Sequence, residues 1–373
     1  MKFLQILVFP LSIVYGAILY LRNKLYDFGI FPSTKFNVPV ISVGNLSVGG
    51  TGKTPHIEYL IRLLGSEFQI ATLSRGYGRK TKGFVLSGPN STVTDIGDEP
   101  LQFSNKFPEL PVAVDAKRVR GVKEILKLFP SIQTILLDDA FQHRSIKPGL
   151  SIVLTDFSKL YLNDFVVPSG SLREFRSGIE RADIIIVTKC PQVLLPIERK
   201  RLIKEIKPLP HQNIYFSTIK YGEFLPLQKE KLNPFSKEYY FEHHYSVVLL
   251  TGIANTLPLE YYLKDKVKTI IPVKFPDHHS FTKNDLEEVK KIFDNIASSN
   301  KIIVTTEKDA MRLKRPEFSA FLSQLPLFYI PIEIDFYNKD KNVLQNDSAG
   351  QEFNEQILHY VRTNQKHNSV YSK

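Results

Sequence analysis

The stretch SVGGTGKTP, residues 47–55, decides the fold, because it has the form of a loop that binds nucleotide phosphates. It follows the apolar run VPVISV (38–43) and precedes the helix-like stretch PHIEYLIRLLG. Glycines let successive backbone N–H groups converge on phosphate oxygens at the start of a helix, whose dipole favours anions. A lysine in this loop neutralises the β- and γ-phosphates, and the hydroxyl after it binds Mg²⁺. The predicted nucleotide-binding residues are Ser47, Val48, Gly49, Gly50, Thr51, Gly52, Lys53 and Thr54.

Two residues depart from the general pattern G-x-x-x-x-G-K-[ST]. Ser47 stands where the pattern has its first glycine, and Pro55 follows the threonine. Three glycines nevertheless remain within four positions, and a proline in the first helical turn costs little because its missing N–H has no partner there. A glycine-rich turn without function is the alternative, but the preceding strand and the GKT ending favour a phosphate loop.

Short apolar runs alternate with helix-like stretches along the first part of the chain. Their hydrophobicity is continuous rather than alternating, which is typical of strands covered on both faces in a parallel sheet. Helical crossovers between such strands give a doubly wound α/β fold of the P-loop NTPase type. The predicted strands lie at 38–43, 69–74, 111–115, 134–139, 151–156 and 183–189.

The pattern changes at about 225–245, where the chain is polar, charged and aromatic without a clear period. A second α/β series follows, with the apolar runs SVVLLTGIANT, TIIPVKF, KIIVTTEKDA and LFYIPIEI. We therefore predict an N-terminal segment at 1–30, a phosphate-loop domain at 31–225, a smaller α/β domain at 226–362 and a flexible tail at 363–373.

The N-terminal segment has no charge between Lys2 and Arg22, which is nearly the length of a membrane span. No small-residue cleavage site follows to mark a signal peptide. Scattered aromatic residues and the basic residues that follow predict a helix that lies in the membrane interface. A single span and a helix buried against the protein's own core are the alternatives. Four residues interrupt the apolar run, namely Gln5, Pro10, Ser12 and Gly16.

The charge balance points to an anionic partner. The chain has 49 basic and 38 acidic residues, a formal net charge of +11. Nucleic acid, a phospholipid surface and a phosphorylated substrate would all suit that charge. The apolar N-terminus favours the phospholipid surface, and we expect neither a nucleic acid nor an obligate protein partner. One cysteine, Cys190, excludes an internal disulfide framework and fits a reducing compartment.

A second motif strengthens the nucleotide prediction. TILLDDAFQH (134–143) is an apolar strand that ends in Asp138 and Asp139, where a Walker-B aspartate would hold Mg²⁺ or its water. On its own the motif is weak, because aspartate is common at strand ends. Together with the loop it predicts binding of MgATP or MgGTP. VTKCP (187–191) is the closest match to the guanine-reading N-K-x-D and lacks both the Asn and the Asp, which favours ATP.

These motifs together resemble one family, the tetraacyldisaccharide 4'-kinases, which are membrane-associated lipid A kinases. The similar stretches recur in the family's order between about 40 and 312: VGNLSVGGTGKTP, LSRGYGRK, IGDEP, LLDDAFQH, PSGSLRE, the DHH of FPDHHSFT, and TTEKDAMRLK. Ser47 belongs to the family's own form of the loop. One departure is Phe175, which follows LRE where the family usually has proline.

The resemblance implies transfer of phosphate from ATP to the 4'-hydroxyl of a lipid disaccharide 1-phosphate. It also implies a Gram-negative bacterium and the cytoplasmic face of its inner membrane. The alternative is a membrane-associated P-loop NTPase that acts as a switch, without a lipid sugar as acceptor. Such a protein would hydrolyse nucleotide and would need no base for a sugar hydroxyl.

The resemblance assigns the acceptor proton to a pair, Asp98 in IGDEP and His278 in FPDHHSFT. A carboxylate beside an imidazole raises its basicity and fixes its tautomer. An ordinary helix N-cap is the alternative for Asp98, and the neighbouring His279 is the main rival of His278. Lys53, Asp138 and Asp139 complete the predicted catalytic set.

Metal and substrate contacts complete the expectations. Glu174 in PSGSLRE matches an acidic residue that the family has near the metal, although a solvated loop glutamate is the alternative. The predicted Mg²⁺ ligands are Thr54, Asp138 and Glu174. Arginine suits phosphate because its fork binds two oxygens at once. The candidate substrate contacts are Arg75, Arg118, Gln142, His143 and Arg173.

Overall fold

The computed structural model describes residues 2–228, 234–277, 279–337 and 351–370. The chain divides into two compact units, one of Met1–Ile219 with Ile334–Lys373 and one of Lys220–Glu333. The chain passes from the first unit to the second at Lys220, close to the domain boundary predicted at 225. It returns to the first unit at Ile334, so the second unit ends well before the predicted domain end at 362. The predicted base His278 lies outside the described residues.

The strands and helices alternate along most of the chain. The strands are β1 (Val40–Asn45), β2 (Ile70–Ser74), β3 (Val85–Leu86), β4 (Val112–Val114), β5 (Thr134–Asp138), β6 (Leu150–Asp156), β7 (Ile184–Thr188), β8 (Asn213–Tyr221), β9 (Leu225–Pro226), β10 (Ser246–Thr251), β11 (Thr269–Lys274), β12 (Lys301–Thr306), β13 (Leu327–Ile330) and β14 (Ile332–Phe336). The α-helices are α1 (Lys2–Asp27), α2 (Lys53–Gly65), α3 (Val93–Ile96), α4 (Asp98–Lys106), α5 (Arg118–Leu128), α6 (Pro196–Ile206), α7 (Lys237–Glu242), α8 (Leu257–Lys264), α9 (Lys283–Asp294), α10 (Glu307–Leu313), α11 (Pro316–Leu322) and α12 (Gln351–Val370).

The first unit contains a nine-stranded sheet in the order β14-β8-β7-β6-β1-β5-β2-β4-β3. Neighbouring strands from β8 to β4 are parallel, and β3 is antiparallel to β4. The predicted doubly wound α/β fold is thus confirmed. The strands β2 to β5 all lie on one side of β1 in the sheet, and β6, β7, β8 and β14 lie on the other side. In such sheets ligands bind at the carboxyl ends of the strands beside this switch point, which is where the phosphate loop follows β1.

The core beneath the loop is formed by α2 and the sheet. The apolar face of α2 recurs every three or four residues, at Ile57, Leu60, Ile61 and Leu64, and all four side chains are buried. Residues from β14 and α12 pack into the same cluster, and the rings of Phe336 and Phe353 stack 4.4 Å apart. The end of the chain therefore completes the core on which the loop helix rests.

Two expectations about the C-terminal part are wrong. The run LFYIPIEI is predicted to belong to the second domain, but it is divided at Pro331 into β13 and β14. Because proline has no N–H to donate to a ladder, the chain leaves the second sheet there and joins the first. The tail predicted from 363 is also helical as far as Val370, as part of α12.

The second unit has its own sheet, with the order β11-β10-β12-β13-β9. Its strands from β11 to β13 are parallel, and β9 is antiparallel to β13. The predicted smaller α/β domain is therefore present with different bounds, and it includes β9 and α7 from the stretch at 225–245, which has no clear period in the sequence.

Helix α1 is long and apolar enough, from Gln5 to Asp27, to cross a membrane. Its pattern of burial is the reverse of that of a soluble helix. The stripe that faces the first unit is at positions 8, 12, 16, 19 and 23, and it includes Ser12, Gly16 and Asn23. The rest of the surface is apolar and exposed, with residues such as Ile6, Leu11, Ile13, Val14, Ile18 and Leu21. The side that faces the protein therefore mixes small, polar and apolar residues, and the side that faces outward is almost entirely large and apolar.

Candidate functional site

The phosphate loop is built by glycines in conformations that other residues rarely adopt. Gly49 has φ +113° and Gly52 has φ +89°, in the left-handed region. Gly52 immediately precedes α2, so Lys53 and Thr54 are the first two residues of the helix. Pro55 follows in the first turn, where no N–H is needed. The predicted strand–loop–helix arrangement is present.

Two segments of the first unit hold the loop in place. From the PSGSLRE stretch, the carbonyl of Ser171 accepts a hydrogen bond from the N–H of Val48 at 2.6 Å, and Arg173 N–H donates to the carbonyl of Leu46 at 2.7 Å. From the end of β7, the Thr188 hydroxyl donates to the carbonyl of Thr51 at 2.9 Å. The loop is therefore fixed on both sides before any ligand binds.

Lys189, next to Thr188, gives a second lysine at the loop. Its ammonium donates to the carbonyl of Gly50 and forms an ion pair of 2.8 Å with Asp156. Lys189 itself has φ +56°, which turns its side chain back toward the loop. The sequence motif VTKCP was considered only for guanine binding, so this structural role was missed.

Lys53 lies between two oxygen acceptors at the start of α2. Its ammonium is 3.3 Å from Asn45 Oδ1 and 3.7 Å from Asp139 Oδ1. The side chain is 9% exposed, so its charge acts in a region from which water is largely excluded. Asn45 was not predicted, although the GN pair directly before the loop in VGNLSVGGTGKTP is the signal that marks it.

Asp138 is the last residue of β5, which lies next to β1. It is 2% exposed, and Ser74 Oγ donates to its Oδ2 at 3.1 Å. Its Oδ1 is buried and has no hydrogen-bond partner among the described residues. Burial, with the charges of Glu99 and Asp139, raises the pKa of this carboxyl to about 7. A buried carboxylate oxygen without a partner is costly, and a cation or a bound ligand would satisfy it.

Asp139 differs from its neighbour because it is paired. Arg173 Nη1 lies 2.8 Å from both of its carboxylate oxygens, and Lys53 is near. Burial alone would raise the pKa of Asp139, but the charges of Lys53 and Arg173 outweigh it and lower the pKa. Asp139 also has φ +47°, which an aspartate tolerates better than most residues. Arg173, predicted as a substrate contact, is thus engaged with Asp139.

Two glycines bring Asp98 to this edge of the sheet. A Cβ on Gly97 would lie 2.8 Å from the carbonyl oxygen of Tyr77, and one on Gly76 would lie 2.9 Å from that of Ile96. Only glycines allow the loops SRGYGRK and IGDEP to approach this closely. Asp98 is buried as the first residue of α4, and its Oδ1 accepts from the N–H of Glu99 at 3.1 Å. The N-cap of α4 is Gly97, so Asp98 is the first residue of the helix and not the N-cap that the alternative predicts.

Three of the predicted substrate contacts form a group near the end of β5. Arg118 is buried and donates to the backbone carbonyls of Asp115 and Asp138, so it supports the strand ends. Arg75 is exposed. Burial, then the charges of Arg118 and Arg75, lowers the pKa of His143 to about 4. His143 is therefore neutral near pH 7, and Arg75 is the member of the group that is open to solvent.

Glu174 is buried among three donors rather than solvated. It accepts from Arg181 at 2.8 Å, from Gln142 Nε2 at 3.0 Å and from Asn23 of α1 at 2.9 Å. Gln142 also donates to the carbonyl of Asn45 at 3.0 Å. This chain of bonds links α1 to the strand end before the phosphate loop. Arg181 and Asn23 were not predicted, because nothing in their local sequence marks them.

Phe175, the departure from the family pattern, does not change the local backbone. It has φ −60°, which proline also adopts, and it directly precedes a short 3₁₀ helix at Arg176–Arg181. Its ring lies against α1, where a Cβ on Gly16 would be only 2.5 Å away. Phenylalanine therefore preserves the turn and adds a contact with α1.

In the second unit, His279 is already engaged. Its Nε2 is 2.9 Å from Asp285 Oδ2, and its ring stacks on Phe275 at 4.5 Å. Asp285 in turn belongs to the capping box of α9 with Thr282. His279 thus anchors the start of a helix, which makes it a poorer candidate for a base than its neighbour.

The chain matches the family model described as tetraacyldisaccharide-1-P 4'-kinase over residues 4–348. A tetraacyldisaccharide 4'-kinase of Flavobacterium johnsoniae is 46% identical over 364 residues, which cover 98% of this chain and 99% of the relative. One of Bacteroides thetaiotaomicron is 44% identical over 369 residues, with 97% and 94% covered. A crystal structure of LpxK from Aquifex aeolicus in complex with ATP is similar with a TM-score of 0.71 and 26% identity, covering 96% of this chain and 99% of that one.

Proposed function

This chain belongs to the tetraacyldisaccharide-1-P 4'-kinase family, and we propose how its residues carry out the reaction of that family. The enzyme is a phosphotransferase of lipid A biosynthesis that uses ATP and Mg²⁺ and phosphorylates the 4'-hydroxyl of the tetraacyldisaccharide 1-phosphate. One observation carries the assignment of the site. Lys53, Asp139 and the partly unpaired Asp138 meet at the carboxyl ends of the neighbouring strands β1 and β5.

The backbone of residues 47–52 and the ammonium of Lys53 would hold the phosphates of ATP. Phosphoryl transfer depends mainly on positioning and on charge stabilisation. Lys53 is supported by Asn45 and Asp139, so its ammonium is oriented before ATP arrives. Such pre-organised charge in a buried site is worth more than in water, because no reorganisation is needed during the reaction.

The residues present fit a magnesium ion that is shared with ATP. Among the described residues no group of three or more His, Cys, Asp or Glu could hold a metal by itself. Mg²⁺ in such enzymes takes one or two carboxylates together with substrate phosphates and water. The unpaired Oδ1 of Asp138 and the hydroxyl of Thr54 are the donors that we assign to it. When bound, the ion would neutralise charge on the phosphates.

Glu174 fits the metal less well than these two. Its carboxylate already accepts bonds from Arg181, Gln142 and Asn23. As a predicted ligand, Glu174 would have to lose one of these three hydrogen bonds in order to bind the ion.

We propose Asp98 and His278 as the pair that accepts the proton of the sugar hydroxyl. The engagement of His279 with Asp285 supports His278 as the active member of the DHH motif. Asp98 is buried, so the charge of its carboxylate acts in a region from which water is largely excluded. Arg75, as the exposed arginine of the group near β5, is the candidate for the phosphate of the lipid substrate.

We further propose that α1 lies on the membrane rather than across it. Contacts with the first unit run from Phe9, whose ring meets Phe165, to Asp27, which pairs with Arg144. At 1.5 Å per residue this stretch is about 27 Å long, nearly the whole hydrocarbon thickness. A helix held along the protein over that length cannot also cross the bilayer. Its exposed apolar side would contact lipid, and the enzyme would be peripheral or monotopic at the cytoplasmic face of the inner membrane.

The decisive experiment measures label transfer from [γ-³²P]ATP to the tetraacyldisaccharide 1-phosphate, with the purified protein in detergent. We expect labelled lipid that requires both Mg²⁺ and the disaccharide. Release of inorganic phosphate at a rate that the disaccharide does not change, without labelled lipid, would instead support an NTPase switch.

A further inference from the structure

The loop at residues 164–176, which we call the aromatic loop, packs along α1. The Ser12 hydroxyl hydrogen-bonds to Ser169 Oγ at 2.8 Å and accepts from the Ser169 N–H at 2.9 Å. Gly16 of the helix leaves the space that the ring of Phe175 occupies. The buried residues of the helix are thus the ones that seat this loop.

Two phenylalanines of the aromatic loop point away from the protein core. Phe165 is 53% exposed and Phe175 is 39% exposed. Their rings meet aromatic residues of the helix, since Phe165 is edge-on to Phe9 at 5.7 Å and Phe175 is edge-on to Tyr20 at 6.4 Å. Both helix residues are also exposed. The apolar surface of α1 therefore continues without a break onto the loop, and a surface of this kind marks an interaction site.

The loop is held firmly enough to present Phe165 in one position. Asp164 is buried, and its Oδ1 accepts from the N–H of Phe165 at 2.8 Å and from the N–H of Ser171 at 3.1 Å. Lys159 adds an ion pair of 2.9 Å to the same carboxylate. A phenylalanine that is fixed and half exposed costs free energy in water, unless something apolar covers it.

Basic groups stand beside the exposed rings. The guanidinium of Arg176 lies over the ring of Phe165 at 5.6 Å and donates to the carbonyl of Asp164 at 2.8 Å. Lys159, at the start of the loop region, is largely exposed. Aromatic rings with arginine and lysine next to them are typical of protein surfaces at the level of lipid headgroups, where the ring enters the apolar layer and the cation meets phosphate.

We propose that the aromatic loop enters the membrane together with α1, with Phe165 and Phe175 in contact with the acyl region and Arg176 at the lipid phosphates. The inference rests on the proposed seating of α1 on the membrane and extends it to a second segment. Lipid is the occupant that fits, because the loop continues the apolar face of α1 and carries basic groups at its edge. A membrane contact from two segments would fix the orientation of the enzyme. With α1 alone in the membrane, the enzyme could still rotate about the axis of that helix.

The chain contains no tryptophan, so a single introduced tryptophan reports on one position only. The reporter variants are Phe165→Trp in the aromatic loop, Ile13→Trp on the exposed face of α1, and Tyr261→Trp in the second unit, where the side chain is 70% exposed. Each full-length variant is mixed with vesicles of phosphatidylethanolamine and phosphatidylglycerol whose acyl chains carry bromine. We expect Phe165→Trp to lose as much fluorescence as Ile13→Trp, and Tyr261→Trp to lose little.

The outcomes separate the two proposals. Quenching of Ile13→Trp with none at Phe165→Trp would overturn the role of the aromatic loop and leave the seating of α1 intact. Absence of quenching at both positions would overturn both. As a second measurement, Phe165→Ser should weaken binding to the same vesicles about tenfold, since one buried ring is lost. An unchanged affinity, in a variant that unfolds at the wild-type temperature, would contradict the inference.

Discussion

The carboxyl ends of the two parallel sheets carry similar residues in opposite states. In the first unit, β5 ends at Asp138, a buried carboxylate with one oxygen unpaired among the described residues. In the second unit, α10 follows β12 and contains Asp309, whose carboxylate accepts from the N–H of Gly252 at 3.0 Å, from the Thr306 hydroxyl at 2.7 Å and from Arg312 at 2.9 Å. Both oxygens of Asp309 are therefore used in structural bonds, whereas Asp138 has one oxygen for which we propose a ligand.

The comparison indicates that the buried aspartate lowers the stability of the fold at the end of the first sheet but not at the end of the second. A buried charged group with an unpaired atom destabilises the folded state more than one whose atoms are all bonded. Among the described residues, the hydroxyls of Thr251 and Thr305 at the second sheet also lack hydrogen-bond partners, but an unpaired hydroxyl costs much less than an unpaired charge. Asp138 Oδ1, which is buried and unpaired among the described residues, is therefore the atom for which we propose a ligand.

The largest effect should come from Lys53→Ala, which removes the cation held between Asn45 and Asp139. We expect kcat for transfer of label to the lipid to fall about a thousandfold or more, as for other single groups that stabilise the transition state. Thermal unfolding should show that the variant is folded. A folded variant with near wild-type kcat would show that the loop is not the catalytic centre.

The substitution Asp138→Asn tests the unpaired carboxylate. We expect kcat to fall about a hundredfold, while the unfolding temperature in the absence of Mg²⁺ stays the same or rises, because an uncharged amide is cheaper to bury. Calorimetry and the label-transfer assay on one preparation give both values. A clear fall in the unfolding temperature of the variant without Mg²⁺ would contradict the view that the Asp138 carboxylate lowers the stability of the fold.

The same substitution at the other sheet, Asp309→Asn, should behave in the opposite way. It removes the carboxylate that pairs with the buried Arg312 at 2.9 Å, so we expect the free energy of unfolding to fall by about 3–5 kcal/mol. Denaturant titration measures this change. Equal responses of the two aspartates in stability would remove the contrast between the two sheet ends.

A smaller effect is expected from Arg173→Lys. Nη1 of the arginine lies 2.8 Å from both oxygens of Asp139, and the shorter lysine side chain would not bring its ammonium to the same position. We expect kcat to fall about tenfold, since roughly one charge-assisted hydrogen bond is lost. The KM for ATP and kcat, measured together, show whether positioning or binding has changed, and a variant with both values unchanged would make Arg173 dispensable.

The smallest effect is expected from Glu67→Gln, just beyond the end of α2. Glu67 pairs with Arg362 at 2.6 Å, but both side chains are exposed. Such pairs contribute less than about 1 kcal/mol, and less again at high salt. Unfolding temperature and kcat should both stay close to the wild-type values. A large loss of activity here would mean that the outer end of the loop helix is coupled to the site.

Most of the first sheet could be predicted from the sequence, because buried parallel strands are continuous apolar runs bounded by polar residues. The run LFYIPIEI shows the limit of this reasoning, since a local pattern does not say which sheet a strand joins. The loop, Lys53 and the two aspartates were predictable because their chemistry depends on residues that are close in sequence.

Other parts of the site depend on distant residues and could not be predicted in this way. The bond between Asn23 and Glu174 joins residues 151 positions apart. The burial of Arg118 and the pairing of Arg173 with Asp139 are likewise products of the fold, and both residues look in the sequence like free phosphate contacts. The roles of Asp98 and His278 stay predictions, since they depend on the family resemblance.

The return of the chain to the first unit has a consequence for biosynthesis. The second unit is inserted between β8 and β14, and the buried residues Phe336, Phe353 and Ile357, which pack with α2, come from the last part of the chain. A ribosome adds about 5–20 residues per second, so this core stays incomplete until the intervening unit has been made. The phosphate-loop helix, although encoded near the beginning, would be among the last parts to become stable in the cell.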